Sequence, residues 1–262
     1  MKRPPISVCI ITFNEEENIR DCLESVKWVE EVVVVDSLSQ DRTVEVCREY
    51  TDKVFQIEWQ GHVKQKNSVL KYATNEWVLC LDADERVSPE LKEEIERQLT
   101  RDAHRFDGYS FPRRSYYLGR WINHGGWYPD HKLRLFKKSK GRWGGQDPHD
   151  KVILNGTSTR LKGEILHFVY KDLSHQLKTV DNFSAITAKV LEQEGERFSL
   201  LKLLIRSPFR FIEMYFIKQG FRDGLPGFVI AVTSSFYVFL KYAKLWELQG
   251  NKSENSVNRR ER

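Results

Sequence analysis

Cysteine is scarce in this sequence, and no two cysteines form a CxxC pair. The four among 262 residues are Cys9, Cys22, Cys47 and Cys80. Two of them stand inside apolar, strand-like runs, where a thiol behaves as a small core residue. The scarcity and the spacing argue against a disulfide framework and favour a reducing, cytoplasmic setting.

Three other signals are missing. No apolar h-region with a small-residue cleavage site follows residues 1–5, so we expect the folded part of the chain not to be exported. The uncharged run 225–240 is shorter than the roughly 20 apolar residues of a spanning helix, so we expect it not to cross a membrane. A glycine-rich phosphate loop is absent from residues 12–15, after the first strand, which argues against nucleotidyltransferases and dehydrogenases.

The chain does contain enough apolar residues for a sizeable core. Hydrophobic residues make up 40% of it, which excludes a disordered protein. The formal net charge is +5, a mildly basic balance. Such a balance suits phosphate-bearing ligands or an anionic membrane surface, and it does not call for nucleic acid as a partner.

The first hundred residues alternate between strand and helix patterns. Buried β-branched runs are typical of parallel strands, and the segments between them carry apolar residues at helical spacing. This alternation predicts an α/β fold, a Rossmann-like and mostly parallel sheet flanked by helices. The predicted strands cover 6–12, 32–35, 54–58 and 77–81, and the predicted helices cover 15–26, 41–50, 63–74 and 89–99, the last begun by Ser88.

After about residue 107, aromatic residues, glycines and short strand-like pieces replace this alternation. A long helix is predicted over 173–194, followed by a strongly apolar stretch with interspersed bases over 198–248 and a polar, disordered tail over 251–262. We therefore divide the chain into a catalytic domain of residues 1–170 with halves 1–100 and 101–170, a helical extension of 171–249, and a tail of 250–262.

Two carboxylates, Asp82 and Asp84, directly follow the buried strand. Ligands bind beyond the carboxyl ends of parallel strands, where Asn14 and Asp36 are also predicted to lie. Repulsion between neighbouring carboxylates is relieved by a cation, and oxygen ligands suit Mg²⁺ or Mn²⁺. An ion bound there can hold a diphosphate and neutralise the charge that grows on it as it leaves. The alternative is an acidic turn that caps the next helix.

Three segments resemble the signature segments of family-2 glycosyltransferases and occur in the expected order. They are 8–16 (VCIITFNEE), 33–43 (VVVDSLSQDRT) and 81–85 (LDADE). The resemblance covers roughly the first ninety residues. It implies a GT-A fold, inversion of anomeric configuration, and a nucleoside-diphosphate sugar as donor, commonly linked to UDP.

The resemblance also implies roles for residues of the donor site. Thr12, Asn14 and Glu15 would lie at the nucleotide, and Asp36 would accept a hydrogen bond from the base, for example from uracil N–H. Lys66 would face the nucleotide from the helix before the metal segment. The alternatives are an Asx turn or helix N-cap for Asp36 and a solvated helix lysine for Lys66.

For the metal, the resemblance implies that Asp84 is a direct ligand. Asp82 would lie toward the ribose, with Glu85 nearby, and is a further candidate ligand. His167 is a candidate to complete the metal's shell as a neutral imidazole. The alternative for His167 is a purely structural histidine.

An inverting mechanism needs one general base, which takes the proton of the acceptor hydroxyl. The segment 146–151 (QDPHDK) resembles the histidine-acidic step of the lipopolysaccharide-core branch of the family. Asp150 is therefore the predicted base, and Asp147 is the second choice. The Glu-Asp pair of other branches is absent, and structural capping is the alternative.

Aromatic and basic residues over 116–136 resemble the same branch. Aromatic faces stack on the C–H surfaces of sugars, which makes Trp127 and Tyr128 candidates for acceptor binding. Arg134 is a candidate for acceptor hydroxyls or phosphates, as are Arg120 and His124. The alternative is that many of these aromatic side chains pack in the core.

Over 198–248, basic residues alternate with Leu, Ile, Phe and Tyr, a mixture typical of helices that lie in a membrane interface. The resemblance favours peripheral attachment to the inner face of the cytoplasmic membrane, because a lipid-anchored acceptor is reached there. The alternative is a helical subdomain packed on the core or on a second subunit of a homo-oligomer. The bases are Lys202, Arg206, Arg210, Lys218 and Arg222.

These features predict an inverting, Mg²⁺- or Mn²⁺-dependent glycosyltransferase. It would transfer a hexose such as glucose from a UDP-sugar to a glycolipid such as lipopolysaccharide core, with donor and acceptor resting on analogy. Two rival functions are a catalytically inactive GT-A module that serves as a membrane scaffold and a sugar nucleotidyltransferase. The intact acidic cluster argues against the first, and the missing glycine-rich loop argues against the second.

Overall fold

The computed structural model describes residues 3–146 and 149–258 of the chain, with the side chains of 3–145 and 150–250. Two compact units are formed, one by Met1–Tyr116 with Pro129–Val169 and one by Tyr117–Tyr128 with Tyr170–Arg262. Residues 117–128, predicted to lie in the catalytic domain, thus belong to the second unit. The reason is aromatic packing, because Tyr117 and Trp127 both contact the ring of Tyr170.

The first unit is built on a mixed sheet with the strand order β3-β2-β1-β4-β8-β6-β12-β5, and β11 pairs with β6. A separate hairpin is formed by β9 and β10. The strands are β1 (Ile6–Thr12), β2 (Glu31–Asp36), β3 (Val54–Gln56), β4 (Trp77–Asp82), β5 (Glu85–Val87), β6 (Gly108–Tyr117), β7 (Arg120–Trp121), β8 (Asp130–Lys137), β9 (Gly141–Gln146), β10 (His149–Leu154), β11 (Ser158–Arg160) and β12 (Ile165–Phe168).

The strands β3, β2, β1 and β4 pair in parallel, and β8 then joins β4 in the antiparallel direction. Apolar clusters cover both faces of this sheet, which explains the uninterrupted Val and Ile runs of β1 and β2. In register, Thr12 pairs with Asp36 and Ile11 pairs with Asp82. The polar residues at these strand ends therefore meet at one edge of the sheet.

Four helices flank this sheet: α1 (Ile19–Ser25), α2 (Thr43–Arg48), α3 (His62–Leu70) and α4 (Pro89–Asp102). The Ser88 hydroxyl caps α4 by accepting the Leu91 N–H, as the sequence predicts. By contrast, α1 begins four residues later than the predicted start at 15. Asn14 has a φ of 52°, outside the helical region, and the Glu15 N–H donates to Thr43 Oγ1 at 2.8 Å, so this segment is a loop.

The second unit is helical and comprises α5 (Leu173–Gln193), α6 (Leu200–Ile212), a π turn (Glu213–Ile217), a 3₁₀ turn (Gly220–Asp223) and α7 (Gly224–Asn258). The helix α7 extends to Asn258, into the polar segment for which the sequence predicts a tail. The 31-residue stretch Gly220–Gly250 is long and apolar enough to cross a membrane, with a window of mean hydropathy 1.4 of which 33% is buried. The uncharged run 225–240 lies within this stretch, and a core helix of a soluble protein meets the same criteria.

Candidate active site

The carboxyl ends of β1, β2 and β4 carry the residues predicted for the donor site. Thr12 ends β1, and its buried hydroxyl has no hydrogen-bond partner in the described part of the chain. Asn14 is exposed and its side-chain oxygen accepts the Gln40 N–H at 2.8 Å, while Glu15 is half-buried and accepts from Asn18 at 2.7 Å. The hydrogen bonds of Asn14 and Glu15 hold the loop after β1 in place, next to the Thr12 hydroxyl, which has no partner among the described residues.

Asp36 is enclosed at the end of β2. It is 0% exposed, and its carboxylate accepts the Ser39 N–H at 2.9 Å, the Ser39 hydroxyl, and the Gln56 amide at 3.3 Å. An Asx-type turn, the alternative considered from the sequence, makes the same local contacts. Since an ionised carboxylate has about four acceptor positions, little capacity is left for the predicted contact with a base.

Asp82 is paired with two buried cations. Lys66 Nζ lies 2.9 Å from Asp82 Oδ1, and Arg134 Nη2 lies 2.9 Å from Asp82 Oδ2. Burial alone would raise the pKa of Asp82, but Lys66 and Arg134 outweigh it and hold this pKa well below its usual range. Because its charge is already balanced by the protein, Asp82 fits a polar contact with the donor better than the predicted role of metal ligand.

Lys66 connects Asp82 with the predicted general base. It is 6% exposed, so the solvated-lysine alternative is wrong, and its ammonium lies 4.6 Å from the ring centroid of Trp143. Lys66 Nζ is also 3.0 Å from Asp150 Oδ2, whereas Oδ1 of Asp150 has no hydrogen bond among the described residues. The hairpin strand β10 thereby brings Asp150 next to Asp82. Asp147, the second choice for the base, lies outside the described residues.

Arg134 lies in the interior rather than at an acceptor surface. It is 4% exposed, and its Nη2 contacts Asp82 and, at 3.2 Å, Glu85 Oε1. Burial would lower the pKa of Arg134, but Glu85 and Asp82 outweigh it and raise this pKa. The predicted acceptor role of Arg134 does not fit this enclosure. We find instead a cation that neutralises the acidic segment.

Glu85 and Arg113 extend this network and were not predicted to do so. Glu85 is 0% exposed, accepts the Asp82 N–H at 3.0 Å, and pairs with Arg113 Nη1 at 3.2 Å. Arg113 also pairs with Asp130 at 2.9 Å. The sequence signal that could have found them is a charged residue within a segment of strand-forming residues, Glu85 in β5 and Arg113 in β6. A charge that becomes buried in a sheet is almost always paired with an opposite charge.

Asp84 and His167 form a separate pair. Asp84 Oδ2 lies 3.2 Å from His167 Nε2, and Ser115 Oγ lies 3.2 Å from His167 Nδ1. The backbone contributes as well, because the Phe168 N–H donates to the Asp84 carbonyl at 2.9 Å. The carboxylate oxygen of Asp84, in the turn between β4 and β5, and the imidazole nitrogen of His167, on β12, suit a divalent ion that takes its other ligands from phosphate and water. The Ser115 hydroxyl accepts Nδ1–H in the tautomer that leaves Nε2 free to bind metal.

No group of three or more His, Cys, Asp or Glu side chains around a common metal position occurs in the described part of the chain. Two ligands nevertheless fit an ion of the magnesium type, which is usually bound through one or two carboxylates plus substrate phosphates. Asp84 and His167 are therefore the residues that fit the predicted metal.

The predicted acceptor residues Trp127 and Tyr128 lie in the second unit. The ring of Trp127 is 5.7 Å from that of Tyr117 and 6.4 Å from that of Tyr170, and Tyr128 is half-buried. His124 Nδ1 lies 3.2 Å from Asp223 Oδ1, and Arg120 Nη2 lies 3.6 Å from the same atom. Asp223 is buried, so His124 and Arg120 hold the segment 117–128 in place.

This mixed sheet is flanked by helices, and an acidic pair stands at the end of its strand β4. That arrangement is the GT-A fold of glycosyltransferases. Residues 7–154 match the model of glycosyl transferase family 2, and the chain belongs to that family. The predicted family and fold are both confirmed.

Curated and solved relatives agree. The chain is 30% identical over 266 residues to the lipopolysaccharide core biosynthesis glycosyltransferase LpsC of Rhizobium meliloti (strain 1021), covering 97% of this chain and 96% of LpsC. TarS of S. aureus in complex with UDP-GlcNAc has a TM-score of 0.52 at 16% identity, with 96% of this chain and 92% of that chain covered. The mannosyltransferase PcManGT of Pyrobaculum calidifontis, in complex with GDP-Man and Mn²⁺, has a TM-score of 0.55 at 15% identity, with 93% and 87% covered. At these identities the two structures show the fold alone.

Proposed function

We propose that this chain is an inverting, metal-dependent hexosyltransferase. It transfers a hexose such as glucose from a UDP-sugar to a saccharide on a glycolipid, such as lipopolysaccharide core. The observation that carries the proposal is the Asp84–His167 pair, 3.2 Å apart, with Asp84 in the turn that directly follows Asp82. The similarity to LpsC, named for lipopolysaccharide core biosynthesis, supports the class of acceptor.

In this proposal, the donor occupies the strand ends of the first unit. Thr12, Asn14 and Glu15 line the nucleotide side, Asp82 faces the ribose, and Asp36 contacts the base through the acceptor capacity that its turn leaves. TarS binds UDP-GlcNAc and PcManGT binds GDP-Man. A test of the donor must therefore include both nucleotides.

Asp84 and His167 would hold Mg²⁺ or Mn²⁺. The ion, when bound, supplies positive charge to the leaving diphosphate. Lys66 and Arg134 keep Asp82 neutralised, so that one carboxylate of the acidic segment is left to the metal.

Asp150 acts as the general base. Its Oδ2 is held by Lys66, and its Oδ1 receives the proton of the acceptor hydroxyl. The acceptor oxygen bonds to the anomeric carbon as the bond from that carbon to the phosphate oxygen breaks. A single displacement of this kind inverts the anomeric configuration.

The α6 helix would attach the protein to the inner face of the cytoplasmic membrane. Its exposed side follows helical spacing and is apolar, whereas Leu203 and Ser207 are buried on the opposite side. Nearby bases suit anionic headgroups. The exposed apolar side of α6, called the α6 face below, comprises Leu201, Leu204, Ile205, Pro208, Phe209 and Ile212.

The direct test is a screen of UDP- and GDP-sugars with Mn²⁺ or Mg²⁺, in which nucleotide release is measured. We expect slow, metal-dependent hydrolysis of one UDP-sugar, and we expect Asp84→Ala to abolish both this hydrolysis and metal-dependent UDP binding. Asp52→Ala is the matched control, because Asp52 is exposed. If the wild-type protein neither binds nor cleaves any nucleotide sugar, the inactive-scaffold alternative replaces this proposal.

A further inference from the structure

A cavity of about 420 Å³ lies within the second unit, and none of its lining residues belongs to the donor site, the metal pair or the base proposed above. Its volume is in the range usual for small-molecule sites. Segment 117–128 and helices α5, α6 and α7 all contribute to its wall. The side chains that matter here are Trp127, Tyr170, Arg210, Ser234, Tyr237 and Lys241.

Lys241 brings an unbalanced positive charge to this cavity. Its ammonium lies 5.9 Å from the ring centroid of Tyr237 and 5.1 Å from that of Tyr242. No carboxylate pairs with Lys241 among the residues that the structure describes. Burial lowers the pKa of Lys241, and the neighbouring Arg206 and Arg210 lower it further. An anion at this position would offset both effects.

Arg210 is a second cation in the cavity wall, and its counter-charge is shared. Arg210 Nη1 lies 2.8 Å from Glu213 Oε2, and Lys218 Nζ lies 2.6 Å from Glu213 Oε1. Arg206 Nη1 donates to a neutral acceptor, a tyrosine hydroxyl, at 2.6 Å. Among the described residues that line the cavity, Arg210 and Lys241 are the charged ones, and both are cations. The excess charge at the cavity is positive.

Aromatic rings form another part of the wall. Trp127 and Tyr170 are both half-buried, and their ring centroids are 6.4 Å apart. Aromatic faces of this kind stack on the C–H surface of a sugar ring. The Ser234 hydroxyl in the same wall has no hydrogen-bond partner among the described residues, so it is available to a ligand hydroxyl.

We propose that this cavity binds a sugar ring that carries a phosphate or a carboxylate group. The ring lies on Trp127 and Tyr170, and the anionic group lies at Lys241 and Arg210. A neutral sugar would leave the cations without a counter-charge, and a bare anion would not use the aromatic pair. The inference rests on the proposed function in one respect, because such a sugar would belong to the saccharide acceptor.

The test is isothermal titration calorimetry of the full chain with glucose 6-phosphate, glucose and inorganic phosphate. We expect glucose 6-phosphate to bind more tightly than either of the others. Lys241→Gln should weaken its binding about tenfold or more, since a hydrogen bond between charged groups is lost. Lys244→Gln is the matched control on the same helix, because Lys244 pairs with Asp181 at 2.6 Å and does not line the cavity. It should bind like the wild type.

Equal binding by Lys241→Gln and Lys244→Gln would overturn the inference. Phosphate binding as tight as that of glucose 6-phosphate, unchanged in Trp127→Ala, would reduce the cavity to an anion site and overturn the sugar part. Binding to phosphatidylglycerol vesicles that depends on Lys241, without binding of glucose 6-phosphate, would overturn it in favour of a lipid headgroup.

Donor hydrolysis separates this inference from the proposed function. A protein that hydrolyses a UDP-sugar but fails to bind glucose 6-phosphate retains the proposed function and loses the cavity ligand. A protein that binds glucose 6-phosphate through Lys241 but has no nucleotide-sugar activity retains the cavity site and loses the proposed function.

Discussion

The two units of this chain distribute charge and apolar surface in opposite ways. The first unit buries Glu85, Lys66 and Arg134 next to Asp82, and it packs most of its large apolar side chains in two clusters. The second unit exposes large apolar side chains along α6, with Leu201 at 67% and Leu204 at 59%. Burying charge is costly unless every charge is paired, and exposing apolar surface is costly unless something covers it.

This difference shows where each unit depends on a partner. The charges of the network in the first unit are paired with one another within the protein. Charges that are held in place in this way can stabilise a growing negative charge. The exposed apolar side of α6 in the second unit is not covered by other residues that the structure describes. This exposed apolar surface is the basis of the membrane attachment proposed above.

The largest expected effect concerns the base at the edge of the charged network. Asp150→Asn should lower the rate of sugar transfer by about 10² to 10⁴-fold, because asparagine cannot accept the proton of the acceptor hydroxyl. UDP binding should stay unchanged, since Lys66 and Asp82 remain. Steady-state kinetics and a UDP titration measure the two quantities, with Asp52→Asn as control. Wild-type turnover by Asp150→Asn would mean that another group is the base.

The enclosed cation of the first unit should matter for stability. Arg134→Met removes one partner of a buried pair and leaves Asp82 and Glu85 undercompensated, so the free energy of unfolding should fall by about 3 kcal/mol or more. Urea denaturation measures this change. Arg142→Met, at an exposed position in β9, should change the free energy by about 0.5 kcal/mol or less. If Arg134→Met and Arg142→Met had equal free energies of unfolding, the buried charge pairs of the first unit would not contribute to its stability as expected.

The exposed apolar side of the second unit should matter for association instead. Leu201→Ser combined with Leu204→Ser should weaken binding to vesicles that contain phosphatidylglycerol by about a hundredfold, at about 1.5 kcal/mol for each leucine. Stability and donor hydrolysis should not change.

A matched control for the α6 face is available on α5. Leu173→Ser with Leu177→Ser removes two exposed leucines, 43% and 41% accessible, from the same unit. Vesicle sedimentation should show no loss for this variant. If gel filtration shows that the Leu201 and Leu204 changes convert a dimer into a monomer without affecting vesicles, a second copy covers the α6 face.

A smaller effect is expected at Glu31, the first residue of β2. Glu31 accepts hydrogen bonds from Lys53, Ser7 and Thr74, and these contacts outweigh burial and lower its pKa from 4.5 to about 2. A lowered pKa stabilises the fold fully above about pH 4.5, and this contribution is lost as the pH falls toward 2. Glu31→Gln should cost at most about 3 kcal/mol at pH 7 and flatten this part of the stability profile. The control Glu58→Gln, at an exposed position without an ion pair among the described residues, should keep the wild-type profile.

Much of the first unit could be predicted from its sequence because its elements are dictated locally. The Val and Ile runs of β1 and β2 are typical of strands that are buried on both faces. The acidic pair that follows β4, together with the resemblance to family-2 glycosyltransferases, made Asp84 a candidate ligand. The early start predicted for α1 was wrong, because polar contacts from the loops after β1 and β2 hold Asn14 and Glu15 out of the helix.

The sequence could not show which charges pair across distant segments. Arg134 carries the same signal whether it faces an acceptor or an interior carboxylate, and only the neighbouring strands decide this. From the sequence, Lys66 is likewise indistinguishable from a solvated lysine on a helix, because its partners Asp82 and Asp150 come from distant segments. The grouping of 117–128 with the helices depends on contacts with Tyr170, about fifty residues further along the chain.

The double contact of Lys66 also bears on folding. Its two carboxylate partners stand 16 and 84 positions away in the chain, so the second contact forms only after a long loop has closed. A chain that ends before β10 would retain Asp82 and Lys66 but lack Asp150. Transfer activity should therefore return late during refolding, after the signals of the parallel strands, and it can serve as a reporter of native topology rather than of secondary structure.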